Sequence, residues 1–192
     1  MADIGVLALQ GDFAEHLKLL ETMGVDAKEV RLSDDLRKIQ ALIIPGGEST
    51  TIVQLMEAFG LTGEIKALVK EGMPTWGTCA GMIVLARELT ERRPKPLGLM
   101  DIHVRRNAFG RQVDSFETDV QTPVLGEKPF PAVFIRAPAI EAIGPGVIPL
   151  ARLNQHGVVA AREGNVLVTA FHPELTQDQR FHSYFLGMAS GS

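Results

Sequence analysis

The chain has 192 residues and a mass of 20.8 kDa, the size of about one domain. Its 19 basic and 23 acidic side chains leave a net charge of −4, which argues against a nucleic-acid partner, and 45% hydrophobic against 22% charged residues excludes a disordered chain. The single cysteine, Cys79, permits no internal disulfide, and no apolar run approaches the roughly 20 residues of a membrane span. With no signal-peptide pattern at the start, the expectation is one domain over residues 1–192, cytoplasmic and without a membrane partner.

Ile4 to Leu9 is almost continuously apolar and predicts a strand buried on both faces, stopping at Gln10-Gly11-Asp12. Phe13, Leu17 and Leu20 then recur at helical spacing, with Gly24 as the stop. Val25 to Arg31 predicts a second strand and Ala41 to Ile44 a third, ended by Pro45-Gly46-Gly47. Helical periodicity resumes from Ser49 or Thr50 through Phe59, and again over Gly63 to Lys70. A strand over Met73 to Trp76 leads into a helix from Met82 to about Leu89. Alternating strands and helices predict an α/β fold, an open, mostly parallel mixed sheet with helices on both faces, of flavodoxin-like type.

The second half reads differently. Val113 to Val120 alternates with period two, and Val133 to Ile135, Val158 to Ala161 and Val166 to Phe171 add further strands. Glu163-Gly164-Asn165 has the signature of a hairpin turn. A final amphipathic helix is expected from about Asp178 to Met188. Arg92 to Gly98 reads as a surface connection, and no repeat or linker marks a domain boundary.

The strongest chemical signal is Gly77-Thr78-Cys79-Ala80-Gly81 between a strand and a helix. It is a nucleophile elbow with cysteine in the serine position. The flanking glycines allow a sharp turn, and a helix start favours a thiolate. Such a nucleophile needs a base and an orienter for that base. Of the five histidines, His172 is singled out, because it follows an apolar strand and opens His172-Pro173-Glu174. His16 and His182, in the first and last helices, read as solvated or packing residues, and His103 and His156 fall in segments without a clear pattern. The loop Pro45-Gly46-Gly47-Glu48-Ser49-Thr50 lacks the ending of a P-loop, which leaves an oxyanion hole or a plain turn before a Ser/Thr-capped helix. The scattered histidines and lone cysteine show no metal-ligand spacing, so no metal is expected.

The elbow and the His-Pro-Glu tripeptide, in that order, resemble the triad-type, or class I, glutamine amidotransferases. Gly5 to Phe13, Pro45 to Thr50, Arg106 to Gln112 and Phe134 to Pro138 narrow the likeness to the glutaminase-subunit family of pyridoxal 5′-phosphate synthases, over essentially the whole chain. The resemblance implies hydrolysis of L-glutamine to L-glutamate and ammonia through a thioester on Cys79, with His172 moving the proton and Glu174 orienting it. It also implies an oxyanion hole from Gly47 and Ala80, and a glutamine pocket lined by Gly47, Glu48, Ser49, Arg106, Ile135 and Arg136. An arginine in that pocket could bind the α-carboxylate in a planar pair, although from the residues alone either arginine could equally be a surface charge. The family passes ammonia to a separate synthase subunit in a large heteromeric complex for vitamin B6 biosynthesis, so this chain itself is expected to hold no cofactor. Gln10-Gly11-Asp12 is expected near that interface. The weighed alternatives are an amidotransferase serving another synthase, a cysteine hydrolase, and a non-catalytic module.

Overall fold

The structure is a computed structural model and describes residues 3–108, 115–153 and 157–191. In chain order, β1 (Ile4–Leu7), α1 (Phe13–Thr22), β2 (Ala27–Val30), the short α2 (Ser33–Leu36) and β3 (Ala41–Ile44) come first. They are followed by α3 (Ser49–Ala58), α4 (Leu61–Lys70), β4 (Thr75–Thr78) and α5 (Ala80–Leu85). Next come β5 (Ala86–Leu89), β6 (Met100–Arg105), β7 (Ser115–Val120), β8 (Phe130–Ile135) and β9 (Ala139–Ile143). Strands β10 (Ile148–Leu153), β11 (Gly157–Glu163) and β12 (Val166–Thr169) precede α6 (Arg180–Ala189).

The main sheet has ten strands in the order β2-β1-β3-β4-β12-β11-β9-β6-β5, with β10 paired to β11. β1 to β4 and β12 are mutually parallel, whereas β11 runs antiparallel to β12, β9 and β10. β7 and β8 form a separate antiparallel pair. The expected α/β architecture with a mixed, mostly parallel sheet is therefore present. β1, β3, β4 and β12 are buried at every residue, as strands covered on both faces must be. Alternation along β4 shows the two faces. Trp76 packs against Phe181 and Phe185 of α6 and the edge of His16 on α1, while the next residue, Gly77, meets Gly81 and Leu85 of α5.

Several boundaries differ from the sequence reading, each for a tertiary reason. The helix expected to reach Leu89 ends at Leu85, and residues 86–89 form β5, paired with β6. Ala-Arg-Glu-Leu are good helix formers, but pairing decides their state. β4 extends beyond Trp76 to Thr78, because Gly77 and Thr78 pair with Val168 and Thr169. β1 stops at Leu7, although the Ala8 N–H still donates to the Val30 carbonyl at 2.9 Å. β6, β9 and β10 had no expectation. The hairpin at Glu163-Gly164-Asn165 joins β11 to β12 as expected, with Gly164 at φ +55°. Val113, Asp114 and His156 lie outside the described residues, as does 109–112 of the Arg106 to Gln112 block. No described helix is long and apolar enough to cross a membrane.

Candidate active site

Parallel strands end on one edge, and four of them deliver the residues singled out above. Gln10 to Asp12 follow β1, Gly46 to Ser49 follow β3, Cys79 follows β4 and His172 follows β12. This is the carboxyl edge at which open α/β sheets bind ligands. Cys79 adopts φ 47° and ψ −102°, a strained conformation for a residue with a side chain, held by its N–H donating to the Thr169 carbonyl at 2.8 Å. The flanking glycines are sterically required. A Cβ on Gly77 would come within 2.5 Å of the Gly81 carbonyl, and one on Gly81 within 2.1 Å of the Ile44 carbonyl oxygen. The Cys79 thiol faces the Ile135 carbonyl at 3.8 Å.

Cys79 opens onto a cavity of about 340 Å³ that is also lined by Gly47, Glu48, Ser49, Ala80, Arg106, Ile135, Arg136 and His172. Every residue expected at the site is there except Glu174, which stands behind His172. His172 is held by its N–H donating to the Val133 carbonyl at 2.8 Å, and its Nδ1 lies 2.7 Å from Glu174 Oε1. The Asp12 carboxylate approaches the same nitrogen at 3.3 Å. Burial disfavours the charged imidazolium, but hydrogen bonds to Asp12, Cys79 and Glu174 outweigh it and raise the His172 pKa well above the ordinary value. The arrangement therefore favours an imidazolium beside the sulfur. Burial raises the Glu174 pKa, and the neighbouring His172 charge opposes that shift.

The loop after β3 is fastened to the segment after β1. The Asp12 N–H donates to the Gly46 carbonyl at 3.0 Å, and the Glu48 N–H donates to Gln10 Oε1 at 2.7 Å. The cap of α3 is Glu48, whose carboxylate accepts from the Thr50 N–H, and not the expected serine or threonine. Arg106 bonds Glu48 Oε1 at 3.0 Å and the Arg93 carbonyl at 3.1 Å, so the pocket offers a carboxylate and a guanidinium side by side. Neither Arg106 nor Arg136 is a detached surface charge, because both line the cavity. The non-glycine residues at positive φ among the described residues are Cys79, Asn107 and Arg136, and all three line this pocket.

Sequence reasoning placed Asp12 only near the partner interface, gave Asn107 no role of its own and did not foresee the cluster of buried histidines. His16 is fully buried, with Nδ1 3.0 Å from His182 Nε2 and Nε2 3.3 Å from both Thr78 Oγ1 and Glu174 Oε2. A packing role was allowed for His16 and His182, but solvation is excluded and the contact with Glu174 was not foreseen. The signal was there to read, since Phe13, His16, Leu17 and Leu20 share one helical stripe. Asp12, His172 and Glu174 are the one described group whose ligand atoms lie close enough to hold a metal ion. The His172 nitrogen in it is already engaged by two carboxylates, the pattern of an oriented base.

Comparison with known proteins gives the family and the fold. Residues 6–190 match the SNO glutamine amidotransferase family. The pyridoxal 5′-phosphate synthase subunit PdxT of Herpetosiphon aurantiacus is 59% identical over 188 residues, covering 96% of this chain and 99% of the relative. That of Dehalococcoides mccartyi is 59% identical, covering 97% and 96%. A crystal structure of a glutamine amidotransferase superposes with a TM-score of 0.92 at 50% identity, covering 97% of this chain and 98% of that one. A putative GMP synthase component from Thermoplasma acidophilum, at 18% identity and a TM-score of 0.71, shares the fold. Sequence, fold and the placement of the elbow thus converge, and the chain belongs to the SNO glutamine amidotransferase family.

Proposed function

We propose that the chain hydrolyses L-glutamine to L-glutamate and ammonia as the glutaminase subunit of a pyridoxal 5′-phosphate synthase, acting in the cytoplasm as one domain over residues 1–192. The observation that carries this reading is the meeting of Cys79, His172 and a paired carboxylate and guanidinium in one pocket. Glutamine is a zwitterion, so Glu48 receives its α-ammonium and Arg106, with Arg136, its α-carboxylate. That leaves the side-chain amide to reach the sulfur.

The Cys79 thiolate attacks the amide carbon, and the oxygen that becomes negative is received by the N–H groups of Gly47 and Ala80. Ala80 opens α5, so its N–H has no partner within the helix. The His172 imidazolium gives its proton to the leaving nitrogen, ammonia departs and a glutamyl thioester remains. Neutral His172 then takes a proton from water, whose oxygen attacks the thioester carbon. Glutamate leaves and the thiolate is restored. Glu174 holds Nδ1 of His172 throughout, so that Nε2 serves the reaction.

The ammonia is consumed by a synthase subunit bound in a large heteromeric complex. The contacts of Gln10 and Asp12 with the Gly46 to Glu48 loop support docking near Gln10-Gly11-Asp12, from which the partner can adjust the oxyanion loop. Glutamate release is to be measured for the chain alone, with an added synthase subunit, and for Cys79→Ala. Partner-stimulated release that vanishes in the variant is expected. Release indifferent to the partner would point to a different amidotransferase or a free hydrolase.

A further inference from the structure

Behind His172 the polar contacts continue into the core. Glu174 is fully buried at its side chain, and only one of its oxygens, Oε1, is engaged by His172. The other, Oε2, has no regular hydrogen bond among the described residues, and His16 Nε2 lies 3.3 Å from it. A buried carboxylate oxygen without a donor is costly, so the protonation of His16 matters.

The contacts determine it. A bare Nε2 would set its lone pair against that of a carboxylate oxygen, so Nε2 carries the hydrogen, and Thr78 Oγ1, also at 3.3 Å, is its acceptor. Nδ1 of His16 is then the acceptor, and its partner at 3.0 Å, His182 Nε2, is the donor. His182 Nδ1 is left bare, in keeping with its having no hydrogen-bond partner among the described residues, since an unpartnered lone pair is cheaper to bury than an unpartnered N–H. His182 thus donates to His16, His16 donates to Thr78 with its Nε2–H beside Glu174 Oε2, and His172 donates to the carboxylate's other oxygen.

We propose that His16 is a positioning residue of the glutaminase reaction: its Nε2–H, hydrogen-bonded to Thr78 Oγ1, is the polar hydrogen beside Glu174 Oε2, and it fixes the carboxylate that orients His172. The titratable groups around Glu174 and His16 are Asp12, His172, Cys79 and His182. Burial, with His182 and His172 adding to it, holds the His16 pKa well below its ordinary value, and burial alone takes that of His182 to about 3. Both are therefore neutral at pH 7, as the donor sequence requires. The proposal rests on the glutaminase reading, in which His172 is the base.

Two measurements on the complex with the synthase subunit test it. His16→Leu removes the donor and is expected to lower kcat at least about tenfold, with KM for glutamine within about twofold. The acid limb of the pH profile should also move upward, since Glu174 loses the polar hydrogen that favours its charged form. His16→Gln, which can bring an amide N–H to the Nε2 position, should recover most of kcat. A folded Leu variant with unchanged kcat, or a Gln variant as impaired as the Leu variant, would overturn the proposal. Histidine nitrogen NMR of the wild-type chain decides independently of any variant's folding. Neutral Nε2–H tautomers at both His16 and His182 support the proposal, and an Nδ1–H tautomer at His16 overturns it. If wild-type chain with partner released no glutamate, the glutaminase reading would fail while the tautomer result still stood.

Discussion

At the scale of single residues, the site depends on backbone close approach as much as on its reactive side chains. Gly46 touches no substrate in the proposed mechanism, yet a Cβ there would lie 2.3 Å from His172 Cε1 and 3.1 Å from Asp12 Oδ2. Gly46→Ala is therefore expected to displace the base and lower the rate of glutamate release about a hundredfold, the order expected of a misplacement near 1 Å. A rate within twofold of wild type would show that His172 has room to move without consequence. Cys79, His172 and the Gly47 to Ser49 loop could be found in the sequence because each sits in a short motif at a strand end, with glycines beside Cys79 and in the loop, and with proline and glutamate after His172. Asp12 and His16 could not be found that way. Their roles come from the distance between the segment after β1 and the end of β12, which sequence separation conceals.

At the scale of elements, the packing of α6 reaches β4, β8 and the residues after β12. Phe181 stacks on Trp76 of β4 at a centroid distance of 6.3 Å and meets Phe130 at 4.8 Å and Phe171 at 5.3 Å edge-on. It is fully buried, so Phe181→Ala should cost about 3–5 kcal/mol in urea unfolding. A loss below 1 kcal/mol would mean that α6 closes over the cavity. Elements with strong apolar runs, such as β3 and β12, were legible because burial on both faces writes itself into composition. β5 was not, since its Ala-Arg-Glu-Leu sequence favours a helix and only the partner β6 makes it a strand. Of the second-half strands without an expectation, β6 and β9 pair across a long stretch of chain, and register shifts interrupt the period of β6 and β10.

At the scale of the whole molecule, two buried neutral histidines make stability depend on pH. The folded-state pKa values of His16 and His182 are lowered, so the unfolded chain binds protons first as pH falls below about 6.5. Their contribution is present above that pH and is lost as pH drops toward the folded values. His172 has the opposite sign. Its raised pKa gives a contribution that is full below about 6.5 and is lost only as pH rises through the folded value, so it does not offset the acid loss. Glu174, raised by burial, offsets part of it at the lower end. Urea unfolding at pH 6.5 and 5.5 should differ by up to about 2 kcal/mol, with lower stability at the lower pH. Equal values would mean that at least one of the two histidines is protonated in the fold.

The parallel order of β1, β3, β4 and β12 gathers four loops at one edge, and the proposed covalent step takes place at their meeting point. The most direct test is mass spectrometry of the chain, acid-quenched during glutamine turnover in the presence of the synthase subunit. A glutamyl group on the peptide carrying Cys79, absent in Cys79→Ala, is the predicted result. Continued glutamate release by Cys79→Ala, with no adduct on the wild-type cysteine, would contradict it.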